Sequence, residues 1–214
     1  MKIILFTISR SGSTYFTNGL CECIRYSTGV RPPRELDPSP FSTFHQQPSW
    51  VLRLFPIHVE SLSPYLAQVL PDDAVKICLY RNSIEDQVLS KIIMEETGVA
   101  NIKHGSSNTI DHIRYDPDKH RVLINHRINY LNWFRRNVFN EIDFDHVVEY
   151  ETLTDPNKDF KFLFPDVTLK HDALEIKMND FEQKKQALGD TYQEFYKDFK
   201  QKLDQKQMTE TFIA

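Results

Sequence analysis

The sequence predicts an α/β fold, a three-layer sandwich with a central, mainly parallel sheet and helices on both of its faces. Short apolar runs rich in β-branched residues alternate along the chain with amphipathic stretches, which is the pattern of strands joined by crossover helices. The first run, residues 3–8, is apolar and β-branched, as expected of a strand that is buried on both faces. The 214 residues have an ordinary composition, 40% hydrophobic and 26% charged, which predicts one domain spanning 1–214.

The same pattern predicts four strands and five helical regions. The predicted strands are 3–8, 49–55, 74–80 and 145–150. The predicted helices are 14–26, 59–69, 83–96 and 122–139, followed by a charged, lysine-rich helical region in the last third of the chain. Two connections, 28–49 and 99–121, are long for structureless segments, and such segments are usually functional. We therefore expect these two loops to form the walls of an acceptor site.

Charge, hydropathy and cysteine content argue against several classes of function. The formal net charge of −4 disfavours a general nucleic-acid binder. No apolar run approaches the roughly 20 residues that a membrane span needs, and the short run after Met1 and Lys2 lacks the cleavage region of a signal peptide. Cys21, Cys23 and Cys78 are too few for a disulfide framework. We expect reduced cysteines in or near the core and a cytoplasmic protein.

A hydroxyl-rich turn joins the first strand to the first helix in the segment ISRSGSTYF, residues 8–16. Such a turn offers backbone N–H groups and hydroxyls to an anion at the N-terminus of a helix. Its glycine lets the backbone approach a ligand closely, and its arginine adds a delocalised positive charge. The candidate phosphate-binding residues are Arg10, Ser11, Gly12, Ser13 and Thr14. The chain lacks the first glycine and the lysine of a GxxxxGK[ST] loop, which disfavours an ATPase or kinase, and a plain helix-capping turn is the alternative.

A second segment, LYRNSIEDQVLS at residues 79–90, contains another candidate anion site. Arg81 follows a predicted buried strand, and Ser90 lies on the next helix on the side that faces the sheet. A guanidinium and a hydroxyl that converge there can hold a second phosphate. The alternative is an ion pair of Arg81 with Asp86 or Glu85, with Ser90 in a capping role.

Three segments together resemble the PAPS-dependent sulfotransferases. ISRSGSTYF is similar to their 5′-phosphosulfate loop, and LYRNSIEDQVLS is similar to their 3′-phosphate motif. The nine-residue step from Arg81 to Ser90 resembles the bacterial trehalose-sulfotransferase branch more than the cytosolic branch. VEYETLTDP, residues 148–156, resembles the family's YEDL–DP segment, and the three segments occur in the family's order.

The resemblance implies the P-loop-like sulfotransferase fold and transfer of a sulfuryl group from PAPS (3′-phosphoadenosine 5′-phosphosulfate) to a hydroxyl. It implies release of 3′-phosphoadenosine 5′-phosphate, a small carbohydrate or glycolipid acceptor, and no metal. In the loop it assigns Arg10 to stabilise the leaving oxygen and adds Tyr15 to the cofactor-binding residues. Lys184 and Lys185 resemble the C-terminal segment that closes over the 3′-phosphate, although a solvated helix face is the alternative.

The resemblance leaves two candidates for the general base. Glu35 lies in GVRPPREL, residues 29–36, which is similar to the loop that carries a glutamate base in the trehalose-type branch. In the cytosolic branch a histidine of a KTH motif is the base, but Phe55 occupies that position here, and Arg53 matches the lysine. His58, three residues further on, is the second candidate. Arg53 and Phe55 are expected to contact the substrate.

Two other interpretations compete with a sulfotransferase. One is a nucleotide kinase with a degenerate phosphate loop, and the other is a non-catalytic nucleotide-binding protein on the same fold. The missing GK[ST] and the second phosphate motif at Arg81 and Ser90 argue against the kinase. The non-catalytic protein would keep the phosphate loops but would not need Glu35 or Arg10. The expected partner is a small hydroxyl acceptor rather than nucleic acid. The resemblance also leads us to expect a homodimer, because bacterial enzymes of this family can be dimers.

Overall fold

The computed structural model describes most of the chain. The described residues are 1–30, 32, 47–62, 71–98, 102–103, 112–153, 156–169, 176–177 and 181–213. Most of the connection 28–49, including Glu35, lies outside these ranges, as does a large part of 99–121.

The central sheet is parallel and has four strands, as the alternating pattern predicts. The described ranges contain six strands: β1 (Lys2–Thr7), β2 (Trp50–Leu54), β3 (Val75–Tyr80), β4 (Ile102–Lys103), β5 (His146–Glu149) and β6 (Ile176–Lys177). Of these, β4 and β6 form a separate two-stranded sheet. The order in the central sheet is β2-β1-β3-β5, and every neighbouring pair is parallel. Since β1 lies beside β3, with Thr7 opposite Leu79, the segments that follow these two strands emerge side by side.

Helices connect and flank the strands. They are α1 (Ser13–Thr28), α2 (Pro56–Leu62), α3 (Ile84–Thr97), α4 (Pro117–Phe134), α5 (Pro156–Asp159), α6 (Phe181–Leu188) and α7 (Tyr192–Gln205). Two predicted boundaries are confirmed at α3, where Ser83 caps the start by accepting a hydrogen bond from the Asp86 amide at 3.1 Å. Gly98 ends the helix in the left-handed region, with φ of 68°.

Two predicted helix starts are wrong, and so is the wholly helical prediction for the last third of the chain. Helix α4 begins at Pro117, inside the expected loop 99–121, because Asp116 caps it through the Asp118 amide at 3.0 Å and proline suits the first helical position. Helix α2 begins at Pro56 rather than at residue 59. The C-terminal third is not wholly helical, because β6 pairs antiparallel with β4.

Both faces of the sheet are buried along β1, β2 and β3, as expected for parallel strands, whereas the edge strand β5 is partly exposed. Ile4 and Phe6 belong to one core cluster, together with apolar residues of α3, α4 and α7. Ile3 and Leu5 belong to the other cluster, which includes α1 and the segment after α5. The protein is therefore an α/β structure with helices on both sides of a four-stranded parallel sheet.

All three cysteines are buried and free, as expected. Burial raises the pKa of the Cys23 thiol to about 12, so this side chain is a neutral part of the core. Among the described helices, none is both long and apolar enough to cross a bilayer.

Candidate anion-binding site

The turn after β1 has an unusual backbone conformation. Arg10 has a φ of 71° and Gly12 a φ of 70°, both in the left-handed region that non-glycine residues rarely adopt. The Ser11 amide donates to the Ile8 carbonyl at 3.2 Å, which closes the turn. Gly12 is the N-cap of α1 and provides no side-chain cap, so amides at this helix terminus can bind an anion. A strained arginine directly before a helix N-terminus is typical of a functional turn.

Gly12 is required by close packing as well as by its φ. A Cβ atom on Gly12 would lie 2.1 Å from Cε2 and 2.2 Å from Cδ2 of Tyr150. The Tyr150 ring also contacts Arg81, whose Cζ lies 3.8 Å from the ring centroid. The aromatic ring thus lies between the first turn and the start of the second segment.

We expect Gly12→Ala to destabilise the protein strongly. The substitution adds the left-handed strain of alanine to a steric overlap with Tyr150, a loss on the order of 3 kcal/mol in the free energy of unfolding. The matched control is Gly29→Ala, where φ is 76° but no heavy atom lies within 4 Å of the added Cβ, so about 1 kcal/mol is expected. Urea unfolding measures both. Equal losses in the two variants would show that the Tyr150 contact is unimportant.

Arg81 and Ser90 converge at the end of β3. Both side chains are 3% exposed, and Arg81 Nη1 lies 3.4 Å from Ser90 Oγ. Arg81 Nη1 also lies 2.9 Å from Asp86 Oδ2. The predicted convergence and the alternative ion pair are therefore both present. The N-cap at Ser83 fixes the helix so that residues 86 and 90, one turn apart, face Arg81.

Lys184 of α6 joins this cluster, whereas its neighbour does not. Lys184 is 1% exposed, and its ammonium group pairs with Oδ1 of Asp86. Burial lowers the pKa of Lys184 to about 8; Asp86 opposes this shift, while Arg81 and Arg10 add to it. Lys185 instead lies over the Phe181 ring at 4.3 Å and pairs with Glu182.

Arg10 and Arg53 bring further positive charge to the turn. Burial and the nearby Arg81 lower the pKa of Arg10, against the opposing influence of Tyr150 and Asp86. Arg53 Nη1 lies 3.2 Å from Ser13 Oγ and 3.4 Å from Thr14 Oγ1, at the first turn of α1. Arg53, the predicted site residue on β2, is thus in contact with two hydroxyls of the candidate phosphate loop.

Sequence reasoning missed Arg127 of α4. This side chain is 4% exposed; Nη1 donates to Ser9 Oγ at 2.9 Å, and Nη2 donates to the Ser9 carbonyl and to Gln87 Oε1. Burial lowers its pKa to about 9. A signal was present in the sequence: Ile124, Ile128 and Leu131 form the buried stripe of α4, and an arginine three residues after Ile124 takes an apolar position of that stripe.

The buried cations outnumber the acids that neutralise them. In the described part of the chain, Asp86 is the one carboxylate within ion-pair distance of Arg81, Arg127 or Lys184. Arg81 and Lys184 therefore share one negative charge in a region of low exposure, and Arg127 adds a third cation that has no carboxylate at that distance among the described residues. Burying unmatched charge is costly, and an anionic ligand with more than one charge would offset that cost.

The remaining predicted residues have other contacts. The Tyr15 hydroxyl donates to Asp159 Oδ2 at 2.7 Å, and its ring belongs to the core on the α1 side of the sheet. His58 accepts a hydrogen bond from the Phe55 amide through Nδ1 at 3.3 Å, at the start of α2. The Phe55 ring lies 4.8 Å from Cζ of Arg53. These two hydrogen bonds of Tyr15 and His58 go to Asp159 and Phe55, which lie outside the cation cluster.

No protein-family model and no curated protein matches the chain. The function is therefore inferred from the geometry and charge of the site.

Proposed function

We propose that the protein is a PAPS-dependent sulfotransferase with the sulfotransferase fold. In this proposal it transfers a sulfuryl group to a hydroxyl of a small acceptor, a carbohydrate or glycolipid. The observation that carries the proposal is the pairing of two anion-binding segments at the carboxyl ends of adjacent strands β1 and β3. PAPS has anionic groups at two separate positions, and the two segments supply one positively charged region for each.

The residues present fit such a ligand. Ser11 is fully buried, and among the described residues neither its hydroxyl nor Nε of Arg81 has a hydrogen-bond partner. Buried donors of this kind are expected where a ligand completes the hydrogen bonding. The turn at 10–14 would hold the 5′ end, and Arg81, Ser90 and Lys184 would hold the 3′-phosphate.

Bound PAPS would supply an activated sulfuryl group, and the protein would supply positioning and electrostatic stabilisation. In this proposal Arg10 of the turn would stabilise the negative charge that develops on the leaving oxygen. Arg53 contacts the hydroxyls of Ser13 and Thr14 and adds a second positive charge beside them. In this proposal Glu35 takes the acceptor proton, with His58 as the second candidate.

Transfer of ³⁵S from labelled PAPS to a panel of sugars and glycolipids tests the proposal. We expect label in a hydroxyl acceptor with the unmodified protein. Glu35→Gln should lower turnover on the order of 10²- to 10⁴-fold, because general-base catalysis contributes about that much. Binding of 3′-phosphoadenosine 5′-phosphate should be unchanged, because Glu35 is not needed to hold the nucleotide.

The matched comparison is His58→Gln, which removes the other candidate base. A large loss in His58→Gln with little change in Glu35→Gln would transfer the role to the histidine. Tight nucleotide binding without any transfer across the panel would favour a non-catalytic nucleotide-binding protein.

A further inference from the structure

We propose that Arg127 and Gln87 form a buried bridge that holds the two anion-binding segments at a fixed separation. The bridge would give the site selectivity for a nucleotide with two separated anionic groups. The identity of that nucleotide rests on the proposed function. Arg127 is in this view a positioning residue, because its hydrogen bonds go to the segments and not to a ligand.

The bridge is a continuous chain of hydrogen bonds from one segment to the other. Arg127 holds Ser9 by two donors, one to the hydroxyl at 2.9 Å and one to the carbonyl. Its Nη2 also lies 3.0 Å from Gln87 Oε1. The side-chain nitrogen of Gln87, Nε2, then donates to the Arg81 carbonyl at 2.9 Å. Ser9 and Arg81 are thereby connected through two side chains.

The burial of the bridge makes its bonds strong and its geometry defined. Gln87 is fully buried and Arg127 is 4% exposed, so water does not compete for these donors and acceptors. A guanidinium has several donors in a fixed plane, which allows one side chain to hold both Ser9 and Gln87. Lysine has a single nitrogen on a flexible stem and cannot reproduce this fork.

The bridge acts on the residues that would contact the ligand. The Ser9 carbonyl belongs to the peptide that precedes Arg10, so holding it helps to fix the left-handed φ of 71° at Arg10. At the other end the Arg81 carbonyl is fixed, which orients the strand end that carries the Arg81 guanidinium. The β1–β3 pairing ends at Thr7 and Leu79, before both of these positions. The side-chain bridge therefore continues the connection between the two segments beyond the last strand pair.

The presence of an arginine at this buried position supports a role beyond packing. Within the described ranges, Arg127 has no carboxylate at ion-pair distance, and Arg10 and Arg81 add like charge nearby. An apolar residue of similar volume at this position of the buried stripe would avoid that cost. The arginine instead provides the three hydrogen bonds that connect the segments.

Calorimetric titration with three nucleotides tests the bridge. The ligands are 3′-phosphoadenosine 5′-phosphate, which engages both segments, and 5′-AMP and 3′-AMP, which engage one each. In Gln87→Met and Arg127→Met we expect affinity for the doubly phosphorylated nucleotide to fall about 10-fold or more. Affinity for each monophosphate should change less than about 3-fold, because each segment keeps its own ligand contacts.

Two further variants complete the test. Arg127→Lys keeps the charge and should still lose the selectivity, and Asn129→Ala, an exposed change on the same helix, should behave as the unmodified protein. Equal losses for all three ligands in Gln87→Met would overturn the bridge. Thermal melts show whether each variant folds. If Arg127→Met does not fold, the titrations of Gln87→Met alone decide whether the bridge sets the selectivity. An unmodified protein without preference for the doubly phosphorylated nucleotide would instead contradict the proposed function.

Discussion

Arg81→Ala is expected to reduce affinity for 3′-phosphoadenosine 5′-phosphate at least about 100-fold, because a buried charge-assisted contact to phosphate is lost. Affinity for 5′-AMP should change less than about 3-fold, since the first turn is retained. Calorimetric titration of both nucleotides measures the two effects. The expected loss is specific to the 3′-phosphate because Arg81 pairs with Asp86 and Ser90 at the end of β3.

Two controls separate this effect from a general loss of charge. Ser90→Ala removes one neutral hydrogen bond and should cost only about 5- to 10-fold. Arg25→Ala removes a partly exposed arginine of α1, paired with Glu22, and should leave both affinities unchanged. An equal loss of affinity for both nucleotides in Arg81→Ala would mean that Arg81 does not define a separate 3′-phosphate site.

Lys184→Met is expected to weaken binding and to remove a pH dependence of stability. The folded protein lowers the pKa of Lys184 from its ordinary 10.5 to about 8. Between these values the unfolded chain binds more protons than the folded one, so Lys184 makes the stability of the unliganded protein rise with pH. The free energy of unfolding of the unmodified protein, relative to that of Lys184→Met, should rise by about 3 kcal/mol from pH 8 to 10.5.

Binding follows the opposite trend with pH. Lys184 attracts a phosphate only while it is protonated, so affinity for the doubly phosphorylated nucleotide should fall as the pH rises through about 8. In Lys184→Met this decline should be absent and the affinity lower at pH 7. Urea unfolding and calorimetry over pH 7–10.5 measure both effects. Lys185→Met is the control, because Lys185 lies outside the cluster. Identical pH profiles in Lys184→Met and the unmodified protein would contradict the role given to Lys184.

Strand and helix positions could be predicted because local pattern determines them. Strands β1, β2 and β3 are buried on both faces, so their apolar runs are visible in the sequence. The Ser83 cap sets the start of α3. Counted from that start, Ser90 lies on the side of α3 that faces Arg81. The start of α4 was missed because the cap at Asp116 lies in a polar stretch that also fits a loop.

The side chains that complete the site depend on contacts distant in sequence. Arg127 binds Ser9 across 118 residues, and Lys184 binds Asp86 across 98. Lysine in a lysine-rich segment is usually solvated, and only the packing of α6 against α3 shows that Lys184 is buried. Periodicity shows which position is buried, but it does not show which polar partner a buried charge will find.

The most direct test of the account is calorimetric titration of the unmodified protein with 3′-phosphoadenosine 5′-phosphate, 5′-AMP and ATP. The two-segment site predicts clear preference for the nucleotide phosphorylated at both the 3′ and 5′ positions. Preference for ATP would favour a nucleotide kinase with an unusual phosphate loop. Absence of binding to all three would contradict the assignment of the cation cluster as a nucleotide site.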